Sequence, residues 1–471
     1  MAYYLRISHT KKGDYLQMYE SRWNAELKQP RSSHVESFGY VSELVSDTIP
    51  DPVAYYTEYV EKKNAERKAS LAESTRKRRN YDESIEKNVG YYLVYSLIEE
   101  LGVKKVIDIL SSVRQFGFSI YDMLVDLICA RIVNPCSKSK TISDVFPSLY
   151  FGKSKISEDQ VLDGCFFIGG SYQKYIELFN RQYEKYFKRN YTKAYFDCTN
   201  YYFEIDLPQE DKQKGPSKEN RHSPIIGQAL LLDADMIPVA MQMYPGNESE
   251  KPYIRKVIEN MKVRYGVKGR TVQVADKGLN CARNIYAAVK EANDGYIFSK
   301  SIHGKNLSDA EKKWVLLEND QNVFTDHRDE SGNLKYRTKS CIDNYTYEFI
   351  DEDDNVVSFT VKEKRIVSYN PELAKKQRTE ILKMVEKAKD FSVKKNLKDE
   401  LGDAVKYISV VSKDKNGNKV KPYIEMKDDK IEEDLKYAGY NLIVTSETDM
   451  TEHEIYSTYH NLWKIEESLC R

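Results

Sequence analysis

Apolar and polar positions follow different periods in three successive parts of the chain. Residues 1–50 alternate between the two types, as half-buried strands do, and predict a small β unit. Residues 51–190 repeat with a helical period, and an apolar stretch at 120–133 stops before Pro135, as a helix does. From 191 onward, strand-like and helix-like stretches alternate, which predicts a mixed α/β remainder.

The first part of that remainder, 191–300, has the element order of one particular fold. The predicted elements are strands at 194–203, 225–232 and 237–244, a helix at about 250–264, a strand ending at Asp276, a helix at about 280–292 and a strand at 296–298. The first strands should form an antiparallel meander. The order β-β-β-α-β-α-β is that of an RNase H-like core, in which a carboxylate on the first strand lies beside one at the end of the fourth.

The rest of the chain is predicted to interrupt and then complete this core. Residues 301–435 are strongly charged, contain several strand-like runs and a basic helix, and predict a mainly β insertion. Residues 436–471 supply the last core strand and a helix opened by the capping box Thr451-x-x-Glu454. At about 100° per residue, Glu466 falls in the middle of the apolar stripe of that helix.

Acidic residues among apolar neighbours are the strongest chemical signal. Asp197 lies in an aromatic strand, Asp276 ends an apolar strand, and Glu466 lies on the apolar face of the last helix. A carboxylate in such a place is costly unless it is neutralised, and a shared divalent metal does so. Three of them gathered at one point predict a Mg²⁺ site for phosphoryl transfer. Taken singly, each also fits a plain role as a strand-edge, turn or surface-helix acid.

Length, charge and cysteine usage narrow the class of protein. The 471 residues predict two or more domains, and the net charge of zero means that any nucleic-acid surface is local. Basic loops between the helices make 51–190 the predicted DNA-binding region. The basic cluster at 76–79 fits a solvated helix end or a phosphate-contacting arm. The 7 cysteines form no C-x-x-C pair, which argues against a zinc ribbon or a disulfide framework. No signal peptide or long apolar stretch is seen, so a cytoplasmic protein without membrane contact is expected.

Five blocks, in this order, resemble the bacterial insertion-sequence transposases of the DDE class. They are Tyr195-Phe196-Asp197-Cys198-Thr199, Gly215 to Arg221, Pro238 to Asn247, Ala275-Asp276-Lys277-Gly278 and Tyr459 to Glu467. The chain looks closest to the insertion-sequence-four-like branch, which has a β insertion and a Tyr-x2-Arg-x3-Glu-x6-Lys signature. Leu462 stands where that signature has arginine, and its lysine would fall two residues beyond Arg471. A truncated reading frame is therefore expected.

The resemblance implies a DNA transposase that cleaves at the ends of its element and transfers the strands to target DNA by cut-and-paste. Asp197 would bridge two Mg²⁺ ions, and Asp276 and Glu466 would each complete one site, with Mn²⁺ as a substitute. The implied partners are double-stranded DNA, at element ends and target, and a second copy in a homodimer on DNA at the bacterial nucleoid. The predicted DNA contacts are Lys218, Arg221, Lys277, Tyr459 and Trp463.

Two other functions stay open on the sequence alone. In the first, the chain is a truncated, non-catalytic transposase that binds element ends and regulates transposition. In the second, it is a carboxylate enzyme of another class, such as a glycoside hydrolase with an acid–base pair. The second is disfavoured because the acids are of a metal-binding type and the chain has only 3 Trp, whereas sugar sites use aromatic platforms.

Overall fold

The computed structural model describes most of the chain and divides it into two compact units. The described residues are 2–24, 29–76, 86–152, 155–215, 223–303, 307–316, 323–389, 401–413 and 419–465. The units are Met1–Lys87 and Asn88–Arg471. Among the described helices, none combines the length and the apolar character that crossing a membrane requires.

The first unit is an antiparallel sheet with a long helix. Its elements are β1 (Ala2–Thr10), β2 (Gly13–Asn24), β3 (Gln29–Tyr40), the short α1 (Val41–Leu44) and α2 (Pro52–Arg76). The backbone amide of Tyr3 donates to Oδ1 of Asn64 at 2.8 Å, and Asn64 Nδ2 donates back to the Tyr3 carbonyl. Arg67 pairs with buried Glu20 at 2.6 Å. Helix α2 therefore belongs with the strands, whereas the sequence pattern groups it with the later helices.

The second unit begins with a helical module. Its elements are α3 (Tyr92–Leu101), α4 (Lys104–Ser111), α5 (Ile120–Val133), α6 (Lys138–Lys140), a π turn (Thr141–Val145), a 3₁₀ turn (Phe146–Ser148), α7 (Glu158–Gly169) and α8 (Tyr172–Tyr186). Helix α5 ends before Pro135, as predicted. The capping box at the start of α7 is also confirmed, since Gln160 and Ser157 bond each other's backbone amides. A core built around Tyr91, Ile107 and Tyr121 holds the module together.

A large mixed sheet forms the body of the second unit. Its strands are β4 (Lys193–Tyr202), β5 (Ile225–Leu232), β6 (Pro238–Pro245), β7 (Val272–Ala275), β8 (Gly295–Lys300), β9 (Thr325–Arg328), β10 (Leu334–Ile350), β11 (Val356–Tyr369) and β14 (Tyr440–Thr445); β12 (Ile408–Lys413) and β13 (Lys419–Met426) pair separately. The order across the sheet is β6-β5-β4-β7-β8-β14-β11-β10-β9. β4, β7 and β8 are parallel, and the other neighbours are antiparallel. The predicted antiparallel meander β4-β5-β6 is therefore confirmed.

Helices cover both faces of this sheet. They are α9 (Lys251–Tyr265), α10 (Ala282–Tyr286) with a π turn (Ala287–Glu291), α11 (Asp309–Val315), α12 (Pro371–Lys389), a 3₁₀ turn (Gly402–Tyr407), α13 (Asp428–Tyr437) and α14 (Glu452–His460). Phe196 packs with the buried face of α9, whereas its neighbour Tyr195 packs on the other side with Ile455 of α14. Because the central strands are buried on both faces, their sequences are nearly continuous apolar runs. The protein is thus α/β with a large mixed sheet, as the sequence predicts at that level.

The region predicted as a mainly β insertion supplies strands β9 to β13. Of these, β9, β10 and β11 extend the large sheet, and β11 pairs with the returning strand β14. The basic helix expected at about 371–390 is α12. The domain boundaries proposed from the sequence stay predictions, since strand pairing joins this region to the core without marking where one domain ends.

Charged side chains are buried where β11 crosses the sheet. Glu363 is fully buried and accepts hydrogen bonds from the hydroxyls of Tyr296 and Tyr347, both at 2.6 Å. Arg365 is also buried and donates through Nε to Glu363 at 2.7 Å, and its guanidinium contacts Glu311. Burial, and then the charge of Glu363, raises the pKa of both tyrosines, so they remain protonated donors. The most polar part of the sequence therefore contains an ionic cluster inside the core.

Candidate active site

Asp197 and Asp276 lie side by side on neighbouring parallel strands. Phe196 of β4 is opposite Ala275 of β7 in the register, and each acid is the next residue along. Neighbouring strands are about 4.8 Å apart, so the two backbone positions are adjacent. Both acids line a single cavity of about 170 Å³. The structure thus brings together two carboxylates that are far apart in the sequence.

Local hydrogen bonds orient the two carboxylates. Asp197 is half-buried, and its Oδ1 accepts a hydrogen bond from the backbone amide of Cys198 at 2.8 Å. Asp276 is exposed, directly after β7, and its Oδ1 accepts from the hydroxyl of Tyr459 at 2.8 Å. One hydrogen bond to Oδ1 leaves Oδ2 and a second lone pair of Oδ1 for a cation or another partner.

Helix α14 positions Tyr459 beside Asp276 at this cavity. The predicted capping box is confirmed: Thr451 and Glu454 bond each other's backbone amides at the start of the helix. Ile455, one turn before Tyr459, is fully buried in the sheet core and anchors this face of the helix. Burial, and then the negative charge of Asp276, raises the pKa of Tyr459 well above its usual range. Its hydroxyl is therefore a permanent donor to the carboxylate.

The continuous final helix expected from the sequence is interrupted. Helix α14 ends at His460, and a turn follows before one more helical turn at 463–465. In this stretch the amides of Leu462 and Ile465 bond carbonyls three residues back, which tightens the chain beyond α-helical winding. Steps of 100° counted from Ile455 therefore do not fix the direction of later side chains. Glu466 itself lies outside the described residues.

The other predicted site residues are partly described. Lys277 is exposed and lines a second cavity of about 370 Å³, whose wall also contains Asp276 and Tyr459. Trp463 lines the smaller cavity with 55 % of its surface exposed. Lys218 and Arg221 belong to the stretch 216–222, outside the described residues. The structure therefore brings Asp197, Asp276, Tyr459 and Trp463 to one cavity and Lys277 to the adjoining one.

His460 also lines both cavities, which sequence reasoning missed. Its ring packs against Tyr456, with the ring centroids 4.0 Å apart. Burial lowers the pKa of His460, and its Nε2 finds no hydrogen-bond partner within the part of the chain that the structure describes. The available signal was its position directly after Tyr459 in the last motif block.

A different group has the spacing of metal ligands. His303, Glu433 and Asp434 offer ligand atoms within 4.8 Å of one another. However, Lys430 contacts Glu433 at 2.8 Å and Asp434 at 2.9 Å, and Lys406 contacts Asp434 at 3.2 Å. Burial alone would raise the pKa of Asp434, but these lysines keep it below its usual value. The carboxylates are already neutralised by ion pairs, so the arrangement fits a structural cluster.

The Asp197 and Asp276 pair fits a divalent cation better. Carboxylate oxygens are the ligands that Mg²⁺ prefers, and Mg²⁺ is commonly bound by one or two carboxylates together with phosphate oxygens of a substrate. Both acids border one cavity, and among the described residues that line it there is no lysine or arginine. Asp197 and Asp276 thus share one cavity, and their role as ligands of such an ion stays a prediction.

Comparisons with known proteins do not assign the chain to a family. No protein-family model matches it, and no curated protein sequence does. Among solved structures, it is similar to a piggyBac transposase, seen by cryo-EM in a synaptic complex with hairpin DNA. The two share 10 % sequence identity over 57 % of this chain and 60 % of that chain, with a TM-score of 0.28. The match spans less than two thirds of the piggyBac chain, and a likeness of this size carries no argument about function.

Proposed function

We propose that the chain is a DNA transposase of the DDE class, which cleaves DNA at the ends of an insertion sequence and joins the ends to target DNA. The observation that carries this proposal is the cavity shared by Asp197 and Asp276, with Tyr459 and Trp463 in its wall. Two exposed or half-exposed carboxylates on neighbouring strands suit metal-dependent phosphoryl transfer. Glu466, six residues after His460, is the proposed third acid.

The strand order supports an RNase H-like core as the finer fold. β6, β5 and β4 form an antiparallel meander, and β7 and β8 follow in parallel on the other side of β4. This is the arrangement that the predicted order β-β-β-α-β-α-β would give. In such an arrangement the two acids meet on the central strand pair, which is where Asp197 and Asp276 lie.

The side chains around the acids suit a phosphodiester substrate. Divalent cations held by Asp197, Asp276 and Glu466 would activate an attacking oxygen and neutralise charge on the phosphate. Tyr459 holds the Asp276 carboxylate in one orientation, which a ligand group needs in order to bind a cation firmly. Lys277 follows Asp276 directly, and we propose it as a contact to the DNA backbone.

We further propose the insertion-sequence-four-like branch, on the packing of two motif blocks. A Cβ atom at Gly215 would overlap the carbonyl oxygen of Gly246, and one at Gly246 would overlap the carbonyl oxygen of Ile225. The backbones of the two blocks therefore touch beside β5, which explains glycine at both positions. The contact holds Gly215, the last described residue before the stretch that contains Lys218 and Arg221, the remaining proposed DNA contacts.

Cleavage of a labelled duplex that carries the flanking element's end tests the proposal. The chain should cut it only with Mg²⁺ or Mn²⁺, and Asp197→Ala and Asp276→Ala should each abolish cutting. Asp235→Asn, which removes an exposed acid from the turn between β5 and β6, is the matched control and should cut normally. Cutting that persists without metal, or in both alanine variants, would refute the proposed site. Binding of the duplex without cutting by any variant would favour a non-catalytic end-binding protein.

A further inference from the structure

A third cavity, of about 600 Å³, lies at the opposite end of the sheet from the two acids. One wall is the end of α8 with the segment that leads into β4, and the other is the turn between α9 and β7. β4 starts at Lys193 and β7 at Val272, whereas the acids are at 197 and 276. The lining residue nearest to Asp197 along the chain is Thr192, five residues before it, so at about 3.3 Å per residue the groove begins roughly 16 Å from the acids. It is a separate surface.

Most of the charged side chains that line the groove are positive. Its exposed cations are Lys185, Lys188, Lys268 and Arg270. Lys185 donates to Gln182 and Arg270 pairs with Glu447, so both are partly occupied. Lys188 and Lys268 make no ion pair with any residue that the structure describes. Two strongly hydrated cations are therefore available for an anionic ligand.

Among the described residues that line the same walls, negative charge is nearly absent. Glu184 is the carboxylate among the lining residues, and it accepts a hydrogen bond from the hydroxyl of Tyr191 at 2.8 Å. Arg189 also borders the groove but is buried and pairs with Asp233 at 2.8 Å, so it serves the fold. The balance of the solvent-facing charges favours a polyanion.

Exposed aromatic rings stand among these cations. Tyr186 is 53 % exposed and Phe187 is 47 % exposed, both next to Lys188 in sequence. Phe187 leans on Tyr183 with ring centroids 5.0 Å apart, and Arg189 covers the Tyr183 ring at 4.2 Å. Packing against Tyr183 and Arg189 therefore holds the Phe187 ring in position. Ring faces beside cations suit unstacked nucleobases next to their phosphates.

The facing wall brings Lys268 to the groove through a tight turn. Gly266 ends α9 with φ of +60°, and Gly269 has φ of +109°, both in the region that favours glycine. Lys268 lies between them, where the chain turns from α9 into β7. Lys268 on this turn and Lys188 on the opposite wall therefore line the same groove.

From these observations we infer that the groove binds a single-stranded segment of nucleic acid, apart from the Asp197 and Asp276 site. Lys188 and Lys268 contact phosphates, and Tyr186 and Phe187 stack on bases. A duplex keeps its bases stacked on one another and offers no free face to these rings. An acidic peptide would satisfy the lysines but would leave the aromatic wall unused.

Fluorescence anisotropy of a short labelled single-stranded oligonucleotide with the full chain tests this inference. The double variant Lys188→Gln with Lys268→Gln should bind about tenfold more weakly, and the slope of log affinity against log salt should fall by about 1.4, for two lost phosphate contacts. Tyr186→Ser should also weaken binding about tenfold, with an unchanged salt slope, because stacking is not ionic. Lys290→Gln removes an exposed lysine outside the groove and should change nothing.

Three results would overturn the inference. They are unchanged binding by both groove variants, an equal loss in Lys290→Gln, and equal competition by the duplex of the same sequence or by polyglutamate. Thermal unfolding checks that each variant is folded. If the double variant does not fold, the binding of Tyr186→Ser tests the inference, because the Tyr186 side chain is half exposed and its loss should leave the fold intact. Asp197→Ala should leave binding to the groove intact, so failure here and failure of the proposed nuclease site are distinguishable.

Discussion

The hydroxyl of Tyr459 donates a hydrogen bond of 2.8 Å to Oδ1 of Asp276 and so connects the last described helix to the second acid of the candidate site. The two residues are 183 positions apart. Since the capping box and Ile455 fix α14 against the sheet, the position of Tyr459 is set by the fold. Asp276, in an exposed turn, takes its orientation from Tyr459.

Tyr459→Phe should therefore weaken divalent metal binding. Loss of an outer hydrogen bond to a ligand group commonly costs about 10- to 100-fold in metal affinity or activity. Titration of the protein with Mn²⁺, followed by electron paramagnetic resonance without DNA, should show this loss. Tyr150→Phe, at an exposed tyrosine, is the control. If Mn²⁺ affinity stays the same but duplex affinity falls, Tyr459 is a DNA contact, as the sequence predicts, and does not position the acid.

Arg365→Met should strongly destabilise the second unit. It leaves Glu363 buried with no cationic partner in direct contact among the described residues, and breaking a buried ion pair in this way costs about 3–5 kcal/mol. The midpoint of urea unfolding should fall accordingly. Arg328→Met, at an exposed arginine of β9, should stay within about 0.5 kcal/mol of the parent. A small effect of Arg365→Met would mean that water reaches Glu363.

Gly246→Ala should destabilise the protein by about 1–3 kcal/mol, since the new methyl group would overlap the carbonyl oxygen of Ile225 and the strand would have to shift. Gly117→Ala is the matched control, because open space surrounds that position. Thermal unfolding of both variants gives the comparison. An equally mild effect at Gly246 and Gly117 would show that the backbone at Gly246 is not packed closely against the Ile225 carbonyl.

The stability of the second unit should fall as the pH rises above about 10. Burial and the charge of Glu363 raise the pKa of Tyr296 and Tyr347, and the unfolded chain has ordinary tyrosines with a pKa near 10.0. Above that pH the unfolded state binds fewer protons than the folded state, so unfolding becomes more favourable, by at most about 1.4 kcal/mol per pH unit for each such tyrosine. Denaturant midpoints measured across this range test the slope. Tyr347→Phe should make the fall of stability with pH less steep, whereas Tyr150→Phe should leave the slope unchanged.

The elements that the sequence predicts well are those with a strong local period. The meander β4-β5-β6 and helix α9, expected at 250–264 and observed at Lys251–Tyr265, are apolar patterns bounded by turn residues. The placement of Asp276 follows from the end of its strand. Local pattern was sufficient for these parts because each element buries its own apolar residues.

The parts that could not be predicted depend on distant contacts or on non-ideal backbone. The charges of Glu363 and Arg365 look solvated in the sequence and are buried only because partners from other strands and α11 surround them. The tight turn after His460 breaks the regular steps on which the direction of Glu466 was based. Likewise His460 becomes a site residue only when α14 is laid beside β7.

The position of β14 has a consequence for how the protein acquires its fold. This strand lies between β8 and β11 and is the link between them, although it follows both in the chain. While only residues up to 435 have been synthesised, β8 and β11 each lack the neighbour that β14 supplies, so we expect any sheet formed by then to have unpaired edges at these strands. Such edges invite pairing with other chains, and closing them requires contacts between distant residues, which form slowly. We therefore expect the risk of aggregation during synthesis to end when the six residues of β14, Tyr440–Thr445, have emerged and paired with both edges.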